Sequence, residues 1–578
     1  LKYHQLIIVT ILLYGVILSE INSLNKNLKT YSLFFQTLKI NRQYMRIIKR
    51  QVMKTIGLLA LLVMPAFLQA QKTEKTDWYN KDLQKDGSFG ISADKAYQEI
   101  LKGKKSTPVI VAVLDGGVDT THEDLKSVLW LNKLEVAGNG IDDDKNGYAD
   151  DLRGWNFMGS AKGNVEFDNI ELVRVLLRDM EKFDGKDSNS VRKAELPALR
   201  AYQKNLRIYD QKKRKAEQEY FMLYSVKKTV DSLIASTGKD KPNLDEFKAS
   251  SPTSKQQEQI KKLILVNMKA NKSDDFQDFY EQELAKGVKY YYEQLYYHLN
   301  MAYNSRPLVG DNYQNSYEKS YGNLDVMGPD AEHGSHVAGI IAADRTNNKG
   351  IRGVADNVSI LAVRTVPNGD ERDKDVANSI IYAVDHGAKV INMSFGKSHS
   401  WDKEAVDKAV QYAMKKDVLL VHAAGNDNKN LDLERVYPNR YFNNGKTAQA
   451  WIEVGASDAK NDKTLKASFS NYGKTTVDVF APGVDINSTI PGSLYKANSG
   501  TSMAAPVVSG LAALIRSYYP ALSAVQVKEI IMKSVVKVNQ DVEFMVDGKK
   551  VKVPFADLSI SGGIVNAYQA LKLAETYK

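Results

Sequence analysis

Asn498-Ser499-Gly500-Thr501-Ser502-Met503-Ala504-Ala505-Pro506-Val507-Val508 is the stretch on which the reading of this chain turns. A Gly-led turn delivers Ser502 to the head of an apolar helical run that continues through Leu511, Ala512, Leu514 and Ile515. A hydroxyl there sits at the positive end of a helix dipole, beside backbone N–H groups that lack intrahelical partners. Such donors can stabilise an oxyanion forming on a substrate carbonyl. Gly-Thr-Ser is also ordinary N-cap chemistry, so the run needs a base and an orienting carboxylate elsewhere before it reads as catalytic.

Both are present in suitable settings. Pro108 to Leu114 reads as a buried parallel strand, and Asp115-Gly116-Gly117 ends it sharply, at the carboxyl end where open α/β sheets collect functional groups. Glu332-His333-Gly334-Ser335-His336-Val337-Ala338-Gly339 places a histidine at the mouth of a helix of small residues that can pack close to a sheet.

Val113-Leu114-Asp115-Gly116-Gly117-Val118-Asp119, His333-Gly334-Ser335-His336-Val337-Ala338-Gly339 and Gly500 to Pro506 resemble the three signatures of the subtilisin-like serine endopeptidases, in that family's order of Asp, His, Ser. The resemblance implies an α/β fold with a mostly parallel central sheet flanked by helices. It makes Ser502 the nucleophile, His333 the general base and acid, Asp115 the orienting carboxylate, and His336 a packed helix residue. A fourth signature, Val418 to Asn426, implies that Asn426 donates its amide to the oxyanion. Lys389 to Gly396 then pairs with the substrate backbone as an added strand. Ser394, Phe395 and Gly396 with Ala423, Ala424 and Gly425 wall the pocket for the residue before the scissile bond. Val436 at its floor favours small or medium side chains. The chemistry requires no cofactor. Two alternatives use the same residues: an inactive protease-fold binding protein, and a peptide acyl transferase.

Composition fits an exported globular enzyme: 43% hydrophobic and 26% charged residues. The formal charge of +10 invites a nucleic-acid reading that its distribution removes. Residues 1–70 hold nine Lys/Arg against one Glu, which leaves the remainder near neutral. With no cysteine there is neither a disulfide nor a zinc–thiolate site. Met53-Lys54-Thr55, the apolar run Ile56 to Leu68 and a small-residue end at Ala70 follow signal-peptide order, so residues 53–70 are expected to be a signal peptide. Residues 1–52 read as an over-extended upstream frame, with a signal anchor at Leu6 to Leu18 as the rival. Export to a periplasm or the medium, polypeptide substrates, no nucleic-acid partner and no membrane span after cleavage follow from this reading; oligomeric state is left open.

Residues 71–168 and 304–578 are expected to form the catalytic domain. About 45 residues separate Ala70 from Asp115, too few for the family's usual folding prodomain. Asp115 and His333 lie about 220 residues apart. Between them Leu196, Leu199, Tyr202, Leu206 and Tyr209 recur at helical spacing, as do Phe276, Phe279, Tyr280, Leu284, Val288, Tyr291, Tyr292, Leu295 and Leu299. Breakers at Gly185, Gly238 to Pro242 and Ser250 to Pro252 divide the segment. Residues 169–303 are therefore expected to be a helical insertion whose Tyr-rich face is core, serving as gate, substrate selector or folding aid.

Just before it, Asp142-Asp143-Asp144-Lys145-Asn146-Gly147-Tyr148-Ala149-Asp150 begins like an EF-hand calcium loop. Asp142, Asp144, Asn146, the Tyr148 carbonyl and Asp150 are the expected ligands. Arg153 stands where the bidentate Glu belongs, so a full EF-hand is excluded. A structural Ca2+ loop needs one ligand from elsewhere; the alternative is a solvated acidic turn.

Overall fold

The computed structural model describes residues 77–270 and 273–577; the signal segment 53–70 and the extension 1–52 lie outside the described residues. The chain forms two compact units, residues 77–213 with 294–577, and residues 214–293.

The larger unit is built on a nine-stranded sheet of β1 (Val109–Asp115), β2 (Gly154–Asn156), β3 (Val358–Arg364), β4 (Val390–Met393), β5 (Leu419–Ala423), β6 (Trp451–Ser457), β7 (Val479–Pro482), β8 (Val536–Lys537) and β9 (Gly563–Ile564). Their order across the sheet is β8-β9-β7-β6-β5-β4-β1-β3-β2. Every pairing is parallel except β8 with β9. The central strands are continuous apolar runs because helices cover both faces of the sheet, as parallel pairing requires.

The flanking helices are α1 (Glu171–Phe183), α2 (Glu332–Ala342), α3 (Asp373–Asp385), α4 (Lys403–Lys415) and α5 (Thr501–Tyr518). On one face α2 and α5 bury Val337, Ile341, Val508 and Leu511 against Val111, Val113, Val421 and Ile452. On the other, α3 and α4 bury Ile380 and Val410 against Leu114, Leu361, Ile391 and Leu420. Each such side chain contributes about 1.5–3 kcal/mol by leaving water. The register sets the site: β1 pairs with β4 up to Leu114↔Met393, and β4 with β5 up to Met393↔His422. Asp115, Ser394 and Asn426 therefore emerge at one end of three adjacent strands.

The long helix Leu196–Ser236 supplies residues to both units. The smaller unit adds helices at Leu244–Ala249, Lys255–Ala270 and Lys286–Glu293; the expected breakers at Gly238 to Pro242 and Ser250 to Pro252 precede the first two, while the break after Ala270 falls at none of them. Its core gathers Val230, Leu233, Phe247, Ile264, Phe276, Phe279 and Leu284, with Phe247 stacked on Phe276 at 4.1 Å. Tyr291 is buried, whereas Tyr292 on the next position around the helix is exposed, so the Tyr-rich face is only partly core. Among the described residues, no helix is long and apolar enough to cross a membrane.

Candidate active site

Ser502 is the second residue of α5, whose N-cap Gly500 offers no side chain to the exposed N–H groups. Pro506 lies one turn further on. It has no N–H, so the Ser502 carbonyl loses its intrahelical donor. The Ser394 hydroxyl takes that place, donating to the Ser502 carbonyl at 2.9 Å, while the Ser502 hydroxyl donates to the Ser394 carbonyl at 3.1 Å. This reciprocal pair ties the end of β4 to the start of α5. Asn392 Nδ2 donates to Ser394 Oγ at 2.9 Å and holds that hydroxyl in place.

His333 opens α2, and its Nδ1 is 2.8 Å from Asp115 Oδ1. Asp115 closes β1, nearly fully buried, and the same oxygen accepts from the Gly116 N–H at 2.8 Å. The His333 side chain is 46% exposed, so its far edge meets the cleft. Partial desolvation of the inner ring edge disfavours the imidazolium, but the Asp115 charge and hydrogen bond, with Asp330 and Glu332 behind, outweigh it and raise the His333 pKa above its usual 6.5. Gly334 makes the approach of α2 to this loop feasible: a Cβ there would lie 2.1 Å from the Gly117 carbonyl oxygen. His336, by contrast, is fully buried, with Nε2 2.9 Å from the Lys496 carbonyl. Burial pushes its pKa down to about 4, which keeps it neutral.

Asn426 follows β5. Its Oδ1 accepts from both the N–H and the hydroxyl of Thr501, at 2.9 and 3.0 Å. With the oxygen anchored, the amide's Nδ2 is oriented by default, and among the described residues nothing accepts from it. Gly425 supplies the bend with φ of +98° and lies too close to Asn471 for a side chain: a Cβ would lie 2.6 Å from Asn471 Nδ2. Fully buried Asn471 donates to the Ala424 carbonyl and accepts from the Asp427 and Lys429 N–H groups. It shapes the turn that carries Asn426, and the sequence reading missed it.

The two expected pocket walls lie at the ends of the adjacent strands β4 and β5. Ser394 and Ala423 are buried, Ala424 fully so, while Phe395 and Gly425 are partly and Gly396 largely exposed. Lys397, next in line, pairs its backbone with Tyr437, which adjoins Val436. Its buried ammonium reaches Glu171 of α1 at 3.0 Å and Asp373 of α3 at 2.7 Å, so the wall is pinned by ion pairs from two helices. Val436 is partly exposed and, together with Asn439, Arg440, Tyr441 and Glu453, lines a small, shallow cleft that the residues of the two walls do not border.

The acidic loop gathers differently from the sequence expectation. Carboxylate oxygens of Glu135, Asp142 and Asp144 lie within 4.8 Å of one another, and Asp144 also groups with Asp151 and His386. Glu135, which lies outside the motif, supplies the third carboxylate of the first group. Asp150 is turned away: its two oxygens accept from the Gly138 and Gly140 N–H groups at 2.7 and 2.8 Å, because the Gly-rich turn leaves those donors unpaired. Asn146 instead donates to Asp144 and Asp151, and its Oδ1 accepts from the Tyr148 N–H. Three hard carboxylates at this spacing suit a calcium ion.

The model of the subtilase family matches residues 106–549. This chain belongs to the subtilase family. A thermophilic serine proteinase of Bacillus sp. strain AK1 is 50% identical over 32% of this chain and 42% of its own length. Thermitase of Thermoactinomyces vulgaris is 45% identical over 32% of this chain and 61% of its own length. Subtilisin DY of Bacillus licheniformis is 41% identical over 34% of this chain and 67% of its own length. The matched segment thus spans about half the length of the first two curated relatives. In this subtilase the Asp, His and Ser of the sequence motifs converge on one end of the sheet.

Proposed function

We propose that this subtilase is a serine endopeptidase that hydrolyses polypeptides through an acyl-enzyme. Ser502 attacks the carbonyl of the scissile bond while Nε2 of His333 takes its proton; for this the hydroxyl leaves the Ser394 carbonyl and turns to the histidine. Asp115 keeps the ring in the tautomer that has its proton on Nδ1 and offsets the imidazolium charge without becoming protonated. Asn426 Nδ2 and the Ser502 N–H at the head of α5 donate to the oxyanion. His333 then protonates the leaving amine, and water repeats the cycle on the ester.

The substrate backbone adds alongside Ser394 to Gly396, and the side chain before the scissile bond enters between that wall and Ala423 to Gly425, with Val436 below. Glu135, Asp142 and Asp144 hold a structural calcium ion that fixes the loop without entering the chemistry. Residues 169–303 form an insertion in a catalytic domain made of residues 71–168 and 304–578, and residues 53–70 direct export.

The observation that carries the proposal is the 2.8 Å bond between His333 and Asp115, with the ring edge open to the cleft and Ser502 on the adjoining helix start. Incubation with an unstructured protein substrate and mass analysis of the products is the test. Cleaved peptides with water-derived carboxyl ends, absent with Ser502→Ala, are expected. Joined peptides would point to acyl transfer, and no products at all to a binding protein.

A further inference from the structure

His422 is an unexpected residue for its position. It is the penultimate residue of β5, in an otherwise apolar strand, and is fully buried. Its Nδ1 lies 2.7 Å from Oε1 of Glu453 on the neighbouring strand β6, itself 4% exposed. The other Glu453 oxygen accepts from the Trp451 indole N–H at 2.9 Å. Both carboxylate oxygens are thus committed, and the charge is held in place. His422 Nε2 has no hydrogen-bond partner among the described residues. A buried ring nitrogen left so is destabilising, a cost that apolar packing with alanine at the same place would avoid.

The unpartnered nitrogen lies under the pocket wall. A Cβ at Gly396 would stand 3.6 Å from Nε2, the Phe395 ring meets the His422 ring edge-on at 6.5 Å, and Glu453 also borders the cleft that Val436 lines. No side chain at position 396 separates the wall's exposed surface from Nε2. With Nδ1 donating to the Glu453 carboxylate, the ring tautomer leaves Nε2 as a hydrogen-bond acceptor.

We propose that His422 and Glu453 form a polar floor to the pocket and select, before the scissile bond, a medium-sized side chain that ends in an N–H or O–H donor. The inference rests on the pocket reading given under Proposed function. The pocket is then not apolar throughout: its walls accept the methylenes of the side chain, and Nε2 accepts the terminal hydrogen bond. A glutamine satisfies both requirements, whereas methionine of similar length brings no donor and leaves the nitrogen unpaired.

The test uses the full chain and peptide pairs identical except for Gln or Met, or Asn or Leu, before the scissile bond, with rates normalised by active-site titration. The wild type is expected to cleave the Gln peptide about tenfold or more faster in kcat/KM than the Met peptide. His422→Phe, which keeps the ring and removes the acceptor, should bring that ratio to one or below. Gly396→Ala, which leaves the dyad intact and closes the approach to Nε2, should do the same. Equal rates for Gln and Met in the wild type overturn the proposal. So does an unchanged ratio in both variants while Val436→Phe still shifts the size preference, which leaves the pocket reading standing. If Gly396→Ala and Val436→Phe both leave every preference unchanged, the pocket reading itself has failed.

Discussion

Replacing Asn426 by leucine removes the side-chain oxyanion donor at nearly constant volume. Loss of one such donor costs about 10²–10³ in kcat, or roughly 2.7–4 kcal/mol, because the bond strengthens only as charge develops on the carbonyl oxygen. KM should therefore change little. The structure adds a finer expectation through Thr501, whose hydroxyl supplies one of the two bonds that orient the Asn426 amide. Thr501→Val deletes that bond and keeps the backbone N–H bond. It also deprives the Gly425 N–H of its acceptor, the same hydroxyl at 3.1 Å. One anchor of two is lost, so kcat should fall by about tenfold, the equivalent of roughly 1.4 kcal/mol for one neutral hydrogen bond. If Thr501 acts through Asn426, the double variant should be no slower than Asn426→Leu alone. Steady-state kinetics on one peptide, arranged as a double-mutant cycle, measures this. Additive losses, with Thr501→Val costing its full factor in the Asn426→Leu background, would refute the anchoring argument.

Three further outcomes are expected. Activity needs neutral His333, whose pKa is raised, so kcat/KM should fall as the pH drops through a value above 6.5; Asp115→Asn should move that limb to lower pH while costing about 10⁴ in kcat. Ser394→Ala should destabilise the fold by about 1–3 kcal/mol in urea titration, since the Ser502 carbonyl then has no donor, and adding Pro506→Ala should restore part of the loss by returning an N–H to it. Calcium should raise the melting temperature, chelation should lower it, and Glu135→Gln should weaken the response more than Asp150→Asn, because Glu135 groups with Asp142 and Asp144 and Asp150 does not.

Much of the sheet was legible because parallel strands covered on both faces must be apolar runs, and Asp115 and Asn426 stand where two such runs stop. His333 and Ser502 were legible for the complementary reason, as polar residues at the heads of small-residue helices. What escaped the sequence depends on contacts between distant segments. Glu135 sits seven residues before Asp142 and becomes a potential ligand only through the intervening turn. Asn471, in a Ser-Asn-Tyr-Gly stretch, carries every mark of a solvated turn residue, yet it is buried and bonded to the Asn426 loop. The ion pairs that pin the wall join Lys397 to Glu171 and Asp373, residues whose neighbours in sequence give no sign of pairing. His422 was visible as a strand residue, but its purpose depends on Glu453, which only the register of β5 against β6 brings alongside.

The central claim is that Ser502 is a nucleophile activated by His333. The most direct measurement is exposure of the full chain to a fluorophosphonate, followed by digestion and mass mapping of the adduct. The account predicts a single stoichiometric adduct on Ser502, formed faster as the pH rises through the His333 pKa and strongly slowed in His333→Ala. No adduct, or one on another serine with Ser502 unmodified, would contradict it.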